Sequence, residues 1–262
     1  MSAPSLALVT GASSGIGAVY ARRLAARGHD LILVARRADR LSALADELTR
    51  DHAVSVRTLP ADLTAEGDIA LVEQALRSEP IDILVNNAGI GPITPTADLS
   101  DADAAATLSL NVTALMRLTR AALPGMRARR QGTVVNVGSV MAFHAMPVTS
   151  LYSATKAFVL TYSRAIQQEV KDQGILVQAV LPAGTITDFY DTAGVPLAAF
   201  DQSAFMTAEQ LVDAALVGMD RGEEVTLPSV HDAALWTAYD EARVRLFGGT
   251  QNGAPAPRYQ QA

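Results

Sequence analysis

The sequence of 262 residues contains no cysteine, four histidines and only two lysines. Without cysteine, the chain has no disulfide, no thiolate nucleophile and no thiolate metal ligand. The four histidines, His29, His52, His144 and His231, show no spacing typical of metal ligands. We therefore expect no metal centre and no metal-assisted catalysis.

The sequence also lacks a long apolar run and a block of basic residues. The apolar stretch from Leu6 to Val9 is too short for a signal peptide or a membrane span, and no basic segment precedes it. The net charge of −6 is spread along the chain, and no basic block is longer than Arg129-Arg130. We expect a cytoplasmic protein that binds neither nucleic acid nor an anionic membrane surface.

Seven short apolar runs alternate with helical patterns along the chain. They comprise residues 6–9, 31–34, 54–59, 81–85, 134–137, 175–181 and 225–227. Strands that alternate with helices are typical of a doubly wound parallel sheet with helices on both faces. We predict an α/β fold with one domain, residues 1–247, followed by a flexible tail rich in Gly, Pro and Gln, residues 248–262.

Tyr152 and Lys156 are four residues apart, so a helix would place both side chains on one face. A cation about 4 Å from a phenol would lower the phenol pKa by as much as ~3 units, towards neutrality. The chain uses arginine for nearly all of its basic residues. A lysine at position 156 therefore suggests that a compact ammonium with an adjustable pKa is needed there. The spacing predicts an acid–base pair, although it also arises by chance on solvated helices.

Glycines occupy the turn that follows the first predicted strand, in the pattern Gly11-x-x-x-Gly15-x-Gly17, before a helix predicted over residues 18–27 and ended by Gly28. Such a turn lets the backbone approach a pyrophosphate, which the helix N-terminus attracts. A purely structural turn is the alternative.

The second predicted strand ends in Arg36 and Arg37 rather than in the acid that often binds an adenosine ribose. A guanidinium binds a 2′-phosphate, so this pair favours NADP(H) over NAD(H), unless the two arginines are simply solvated. Asp62, after the third strand, either receives the adenine amino group or belongs to a turn before a helix with Thr64 as N-cap.

Asn111 is a polar residue in an apolar helical pattern over residues 101–123. It either caps an irregularity in this helix or holds a functional water. Arg127, Arg129 and Arg130 follow this pattern, where cations complement a helix C-terminus.

Ser139 follows the fifth predicted strand. It lies at the edge of the sheet where the fourth strand ends in Asn86-Asn87-Ala88-Gly89. Ser139 either forms a turn or donates a hydrogen bond to a substrate oxygen.

Taken together, these motifs resemble those of the short-chain dehydrogenase/reductase family. The shared residues are Thr10, Gly11, Gly15, Gly17, Asp62, Asn86, Asn87, Ala88, Gly89, Asn111, Ser139, Tyr152 and Lys156. The resemblance implies a Rossmann-like fold and a catalytic set of Asn111, Ser139, Tyr152 and Lys156. In that family's mechanism Ser139 and Tyr152 would hold the carbonyl oxygen, and Tyr152 would protonate the forming alkoxide. Lys156 would lower the phenol pKa and bind the nicotinamide ribose, and Asn111 would hold a water.

The resemblance also implies an NADP(H) site, with Arg36 as the main phosphate ligand. Its contacts would come from Gly11, Ser13, Ser14, Gly15, Ile16, Gly17, Arg36, Arg37, Asp62, Leu63, Asn86, Ala88, Gly89, Tyr152, Lys156, Pro182, Gly184, Thr185 and Thr187. Two features depart from the pattern of NADP(H)-preferring members. Ser14 stands where many have a basic residue, and the nicotinamide loop reads Pro182-Ala183-Gly184.

We expect a carbonyl reductase or alcohol dehydrogenase that acts as a homodimer or homotetramer. One alternative is a 3-oxoacyl-carrier-protein reductase, for which the arginines at 127, 129 and 130 would dock an acidic partner. Another is a redox-silent NADP(H) sensor with the same fold.

The segment from Ile186 to Met206 is irregular and apolar, which predicts a lid over the substrate with Gly194 as a hinge; core packing of a short helix is the alternative. The expected substrate pocket comprises Ser139, Met141, His144, Tyr152, Phe189 and Tyr190. The segment has no basic residue, and its acids Asp188, Asp191 and Asp201 are expected to lack a compensating cation. We therefore expect a neutral, apolar ketone or secondary alcohol as the substrate.

Overall fold

The computed structural model describes residues 5–259, apart from the side chains of residues 191 and 192. The strands are β1 (Leu6–Thr10), β2 (Asp30–Ala35), β3 (Val56–Pro60), β4 (Ile81–Asn86), β5 (Gly132–Val137), β6 (Ile175–Val180), β7 (Thr185–Ile186), β8 (Met206–Thr207) and β9 (Val225–Thr226). Seven of them are parallel and form one sheet in the order β3-β2-β1-β4-β5-β6-β9, and the short strands β7 and β8 pair separately. All seven predicted strands and the doubly wound α/β fold are confirmed.

Helices cover both faces of the sheet, which explains why its central strands are nearly continuous apolar runs. One buried cluster packs α1, α2 and α8 against the first face, and a second packs α3, α5 and α6 against the other. The helices are α1 (Gly15–Ala26), α2 (Ala38–His52), α3 (Glu66–Ser78), α4 (Asp101–Leu108), α5 (Leu115–Arg129), α6 (Ser150–Val170), α7 (Phe189–Thr192), α8 (Ala208–Asp220) and α9 (Ala233–Gly249).

Two details of the predicted helices need correction. The single helix expected over residues 101–123 consists of α4, a π-helical segment Ser109–Ala114 and α5. Asn111 lies within the π-helical segment, so the predicted irregularity is present. Its amide does not cap the helix, because it bonds to Ile90 and Thr155 instead. The N-cap of α3 is Ala65 rather than Thr64. Thr64 instead donates from both its backbone N–H and its hydroxyl to Asp62 Oδ1.

The chain divides into two compact units, Met1–Pro228 and Ser229–Ala262. The second unit contains α9, none of whose residues is buried, and Asp232 caps its first turn by accepting from Ala234 N–H at 3.0 Å. The predicted boundary between a domain ending at residue 247 and a tail stays a prediction. Within residues 5–259, no helix is long and apolar enough to cross a membrane.

Candidate active site

Two adjoining cavities open at the carboxyl ends of the strands. They lie where the strand order changes direction, since β2 and β3 lie on one side of β1 and β4 to β6 on the other. In doubly wound sheets this switch point is where ligands bind. One cavity, of about 360 Å³, lies over the glycine turn after β1 and is called the nucleotide cavity below. The other, of about 350 Å³, lies over the loops after β5 and β6 and is called the catalytic cavity. Both are lined by Ile16, Asn87, Gly89, Thr187 and Phe189.

The floor of the nucleotide cavity is suited to an anion. Gly15, at the start of α1, has φ +51°, and a Cβ there would lie 3.2 Å from the Thr187 side chain. Glycine therefore satisfies both a left-handed backbone and a close approach. Among the described residues, no side chain caps the N-terminus of α1, and no acid lies in its first turn. The free N–H groups of this turn can therefore bind a phosphate.

Arg37 lies across the glycine turn. Its guanidinium donates to Ser13 Oγ at 3.0 Å and to Ser14 Oγ at 2.7 Å. Arg36 lines the same cavity, and no hydrogen bond or ion pair of its side chain occurs within the part of the chain that the structure describes. At the end of β2, the Arg37 guanidinium is thus held by the glycine turn, while the Arg36 guanidinium remains available to bind an anion.

Asp62 also lines the nucleotide cavity. Its pKa is lowered, first by the backbone hydrogen bond from Thr64, then by the Thr64 hydroxyl and the nearby charge of Arg36. Its Oδ1 accepts both hydrogen bonds from Thr64, at 2.9 and 2.7 Å. The turn interpretation of Asp62 is therefore confirmed, while contact with an adenine amino group stays a prediction.

Asn87, rather than Asn86, faces the two cavities. Asn86 is buried and donates from Nδ2 to Thr119 Oγ1 and Asn136 Oδ1 on the other side of the strand. Asn87 donates from Nδ2 to the Thr10 carbonyl at 3.0 Å, and its backbone N–H donates to Thr10 Oγ1 at 2.9 Å. Asn86 therefore lines neither cavity, and the expectation that its side chain contacts the cofactor is not met.

Asn111 holds the loop after β4 rather than lining a cavity. Its Oδ1 accepts from Ile90 N–H at 3.0 Å, while Nδ2 donates to the Ile90 carbonyl at 2.7 Å and to Thr155 Oγ1 at 3.1 Å. The buried Asn111 amide thus connects the π-helical segment to the backbone of Ile90, which lines the nucleotide cavity. It also connects the segment to Thr155, in the turn of α6 between Tyr152 and Lys156. The functional water assigned to Asn111 stays a prediction.

Lys156 is buried on α6 beneath the catalytic cavity, and its Nζ donates to the Val137 carbonyl at 2.9 Å. A Cβ at Gly89 would lie 3.7 Å from this Nζ, so a larger residue at 89 would crowd the ammonium. Burial lowers the pKa of Lys156 to about 8. The group is therefore still mainly protonated at neutral pH.

Tyr152 and Ser139 line the same cavity as Lys156. The prediction that Lys156 brings the phenol pKa towards neutrality is wrong. Burial raises the pKa of Tyr152 to about 12, and a hydrogen bond with the Ser139 side chain offsets only part of this rise. The reason is that both groups are enclosed by apolar side chains, which disfavour a phenolate and an ammonium alike.

The outer wall of the catalytic cavity is aromatic and comes from the predicted lid segment. The Phe189 ring lies 5.6 Å from the Tyr152 ring, centroid to centroid. Tyr190 packs against Phe200 at 5.2 Å and against Phe205 at 5.4 Å. The segment forms β7, α7, two short 3-10 turns and β8 rather than one helix. Lid closure and a hinge at Gly194 stay predictions, although Gly194 has φ +79°.

Two expectations about the catalytic cavity are wrong. His144 is exposed and lines neither cavity, because it follows the 3-10 turn Val140–Ala142 on a loop directed to the surface. Asp188 does have a compensating cation, since its Oδ2 lies 3.3 Å from Arg40 Nη1 on α2. Asp201 accepts from Ser203, which lowers its pKa, and the side chain of Asp191 lies outside the described residues.

Most predicted contacts do line the two cavities. The nucleotide cavity contains Gly11, Ser13, Ser14, Gly15, Ile16, Arg36, Arg37, Asp62, Leu63, Ala88, Gly89 and Thr187. The catalytic cavity contains Ser139, Met141, Tyr152, Lys156, Pro182, Gly184, Thr185, Thr187, Phe189 and Tyr190. Gly17 lines neither, because it packs beneath the turn against Gly11 and Asn87.

Sequence reasoning missed part of each cavity wall. In the nucleotide cavity these residues are Ala35, Ala61, Thr64, Asn87, Ile90, Ala106, Leu110 and Asp188. In the catalytic cavity they include Gly91, Ile93, Met146, Pro147, Val148, Thr149 and Phe200. The loop of residues 146–149 directly precedes the helix of Tyr152, which was the available signal. The rest come from distant parts of the chain that only the fold brings together.

The three arginines at the C-terminal end of α5, Arg127, Arg129 and Arg130, contact nearby groups of the fold. Arg129 donates to the Ile81 carbonyl at 2.6 Å and Arg130 to the Asp172 carbonyl at 2.8 Å, while Arg127 donates to the Gln173 amide at 2.7 Å. These bonds tie the end of α5 to neighbouring strands and turns. A role in docking an acidic carrier gains no support from them.

Comparisons with a family model and with solved structures point to the same family. A family model described as short chain dehydrogenase matches residues 5–194. A short-chain dehydrogenase from Sphingobium yanoikuyae, solved in complex with NADPH, gives a TM-score of 0.95 at 45% identity, over 98% of this chain and 100% of that one. The bulky-bulky ketone specific alcohol dehydrogenase from Comamonas testosteroni gives a TM-score of 0.89 at 41% identity, over 98% of this chain and 99% of that one.

Similarity to curated proteins is more distant. The 17-beta-hydroxysteroid dehydrogenase type 3 of Rattus norvegicus is 34% identical over 183 residues, which are 69% of this chain and 60% of that protein. The chain therefore spans about 60% of the length of this relative.

Proposed function

The chain belongs to the short-chain dehydrogenase family, and from this premise we propose that it transfers a hydride between NADP(H) and a bulky, uncharged ketone or the corresponding secondary alcohol. The observation that carries the proposal is that Ser139, Tyr152 and Lys156 line one apolar cavity, which adjoins a glycine-lined cavity bordered by two arginines.

The nucleotide cavity fits NADP(H) by its charge and shape. The uncapped start of α1 would bind the pyrophosphate. Arg36 and Arg37 would bind the 2′-phosphate, because β2 ends without a carboxylate that would repel it. The complex of the Sphingobium relative with NADPH supports the same cofactor. Lys156, which lies near Gly89 in the catalytic cavity, would bind a ribose hydroxyl of the cofactor.

The residues of the catalytic cavity would act on the carbonyl oxygen. When bound, the nicotinamide supplies the hydride that the carbonyl carbon receives. Ser139 and Tyr152 would hold the oxygen, and the Tyr152 phenol would transfer its proton to that oxygen as negative charge develops there. A phenol whose pKa lies near 12 keeps its proton until this happens. The ammonium of Lys156 and the developing negative charge on the substrate oxygen would both favour transfer of the proton from the phenol.

The cavity wall favours a large, neutral substrate. Met141, Met146, Val148, Phe189 and Phe200 supply apolar contacts. Among the described lining residues of this cavity, Lys156 is the only charged one, and it lies at the base. The Comamonas relative, whose description specifies bulky-bulky ketones, supports the same substrate size.

The proposal is tested by assaying the purified protein with NADPH and with NADH on deoxybenzoin and on its ring-carboxylated derivative. We expect kcat/KM to be higher with NADPH and higher for the neutral ketone, because a carboxylate loses its hydration in an apolar cavity. A higher kcat/KM for the carboxylated ketone would contradict the proposed substrate class. No turnover of a panel of neutral ketones and alcohols with either cofactor would contradict the enzymatic function.

A further inference from the structure

Tyr190 brings a second phenol into the catalytic cavity, beside Tyr152. Its ring is held on several sides. Phe189 meets it edge-on, with centroids 5.6 Å apart and planes at 87°, and Phe200 and Phe205 pack at 5.2 and 5.4 Å. Three aromatic neighbours fix the ring and therefore the position of its hydroxyl. A residue that determines substrate specificity needs such a fixed position.

Among the described residues, which leave out the side chains of residues 191 and 192, no acceptor is hydrogen-bonded to the Tyr190 hydroxyl. Three threonine hydroxyls that line the cavity do have one. Thr149 Oγ1 donates to the Met146 carbonyl at 2.9 Å, Thr185 Oγ1 to the Ala183 carbonyl at 3.1 Å, and Thr187 Oγ1 to the Thr185 carbonyl at 3.5 Å. The Tyr190 phenol differs from these hydroxyls, because its O–H remains available to donate to an acceptor on a ligand.

The free donor lies close to the reacting centre. Phe189 links the two phenols, because its ring contacts that of Tyr152 as well as that of Tyr190. Both phenols line the same cavity, so one bound substrate can contact both of them.

We propose that Tyr190 determines substrate specificity by donating a hydrogen bond to a second oxygen of the substrate, close to the carbonyl that is reduced. The substrate class is then a bulky ketone with a neighbouring acceptor, such as a vicinal diketone, an α-hydroxyketone or an α-alkoxyketone. This inference rests on the proposed function and adds a substrate class to it. An unpartnered donor in an apolar cavity selects for a ligand that supplies an acceptor, because a ligand without an acceptor leaves the donor unpaired.

The reaction balances without another reactant. A vicinal diketone would receive a hydride on one carbonyl carbon and the Tyr152 proton on the oxygen of that carbonyl, which gives an α-hydroxyketone and the oxidised cofactor. Tyr190 keeps its proton throughout and only donates a hydrogen bond to the second oxygen. It is therefore a binding residue for the substrate and takes no part in proton transfer.

The test compares benzil, a vicinal diketone, with deoxybenzoin, which has the same skeleton and one carbonyl. The ratio of kcat/KM for benzil to that for deoxybenzoin is measured with NADPH for the wild type and for Tyr190→Phe. Intrinsic differences in reactivity between the ketones cancel when the two ratios are compared. We expect Tyr190→Phe to lower the ratio about tenfold, the effect of one lost hydrogen bond to a bound ligand, mainly through a higher KM for benzil.

Tyr162→Phe provides the matched control. Tyr162 lies on α6, outside both cavities, and its hydroxyl contacts the Met116 carbonyl at 3.4 Å, so its removal should leave the ratio unchanged. If Tyr190→Phe does not fold, as judged by thermal melting, Tyr190→Met provides the same comparison without the hydroxyl.

A ratio within about twofold of wild type in a folded variant would overturn the role of Tyr190 while leaving the proposed reductase activity intact. An equal loss of kcat/KM for both ketones would assign Tyr190 to packing of the lid and would also overturn the inference. If the wild type reduces neither ketone but turns over other neutral ketones, the inference fails while the proposed function stands; if it turns over none of the panel, both fail.

Discussion

The Lys156 ammonium lies 5.6 Å from the centroid of the Tyr152 ring, one turn further along α6. The same Nζ is held by the Val137 carbonyl at the end of β5. The helix thus supplies the phenol and the ammonium from one face, and the sheet fixes where the ammonium ends. The helix and the sheet together therefore fix the relative positions of the phenol and the ammonium, the two groups proposed to act in proton transfer.

The buried ammonium should make the stability of the protein depend on pH. Lys156 has a pKa of about 8 in the folded chain against an ordinary value of 10.5, so between these pH values the unfolded chain binds more protons. Stability should then rise with pH. Relative to Lys156→Met, we expect the free energy of unfolding of the wild type to increase by about 2 kcal/mol between pH 7 and 9.5. Urea unfolding of both proteins at each pH measures this difference. An unchanged or decreasing difference would show that Lys156 is not desolvated as described.

Cofactor choice should depend chiefly on Arg36, with Arg37 in a supporting role. Arg37 already donates to Ser13 and Ser14, whereas Arg36 is free to bind a phosphate. We expect Arg36→Ala to weaken NADPH binding about 10- to 100-fold, the effect of losing charge-assisted hydrogen bonds, with little change for NADH. Fluorescence titration of both cofactors measures the effect. Arg37→Ala should cause a smaller loss, and an equal loss of NADH and NADPH binding in Arg36→Ala would argue against a phosphate contact.

Val148 is a β-branched residue with φ +62° in the wall of the catalytic cavity. A left-handed backbone is unfavourable for a residue with a Cβ and favourable for glycine. Its carbonyl accepts from Thr94 N–H at 2.9 Å, which holds the loop in this conformation. We expect Val148→Gly to be more stable than Val148→Ala by about 1 kcal/mol, because only alanine keeps the strained Cβ. Chemical unfolding of the two variants compares them directly, and a more stable alanine variant would contradict this account of the strain.

Much of the fold could be predicted from the sequence because each strand is a short apolar run and the glycine turn follows the first of them. The irregularity at Asn111 was visible for a similar reason, since a polar residue interrupts an apolar helix. The helix N-cap at Ala65 was not visible, because Thr64 binds Asp62 instead of the helix end. Local sequence gives no way to rank these two hydrogen bonds.

The site was predicted less completely because its walls depend on contacts between distant residues. Arg40 and Asp188 are 148 positions apart in the chain, so their ion pair could not be inferred from composition near Asp188. The choice between Asn86 and Asn87 depends on which face of β4 is covered by α5, which only the packed structure reveals. Burial likewise sets the pKa of Tyr152, and the Tyr152–Lys156 spacing alone predicted the opposite direction.

The central claim is that Tyr152 donates the proton in an NADP(H)-dependent reduction. Its most direct test is Tyr152→Phe, with NADPH affinity measured by fluorescence titration and turnover measured on deoxybenzoin. The account predicts nearly unchanged affinity and a decrease in kcat of about 10²- to 10⁴-fold, the range expected for loss of general acid catalysis. A variant that binds NADPH and reduces the ketone at a rate close to wild type would contradict the account.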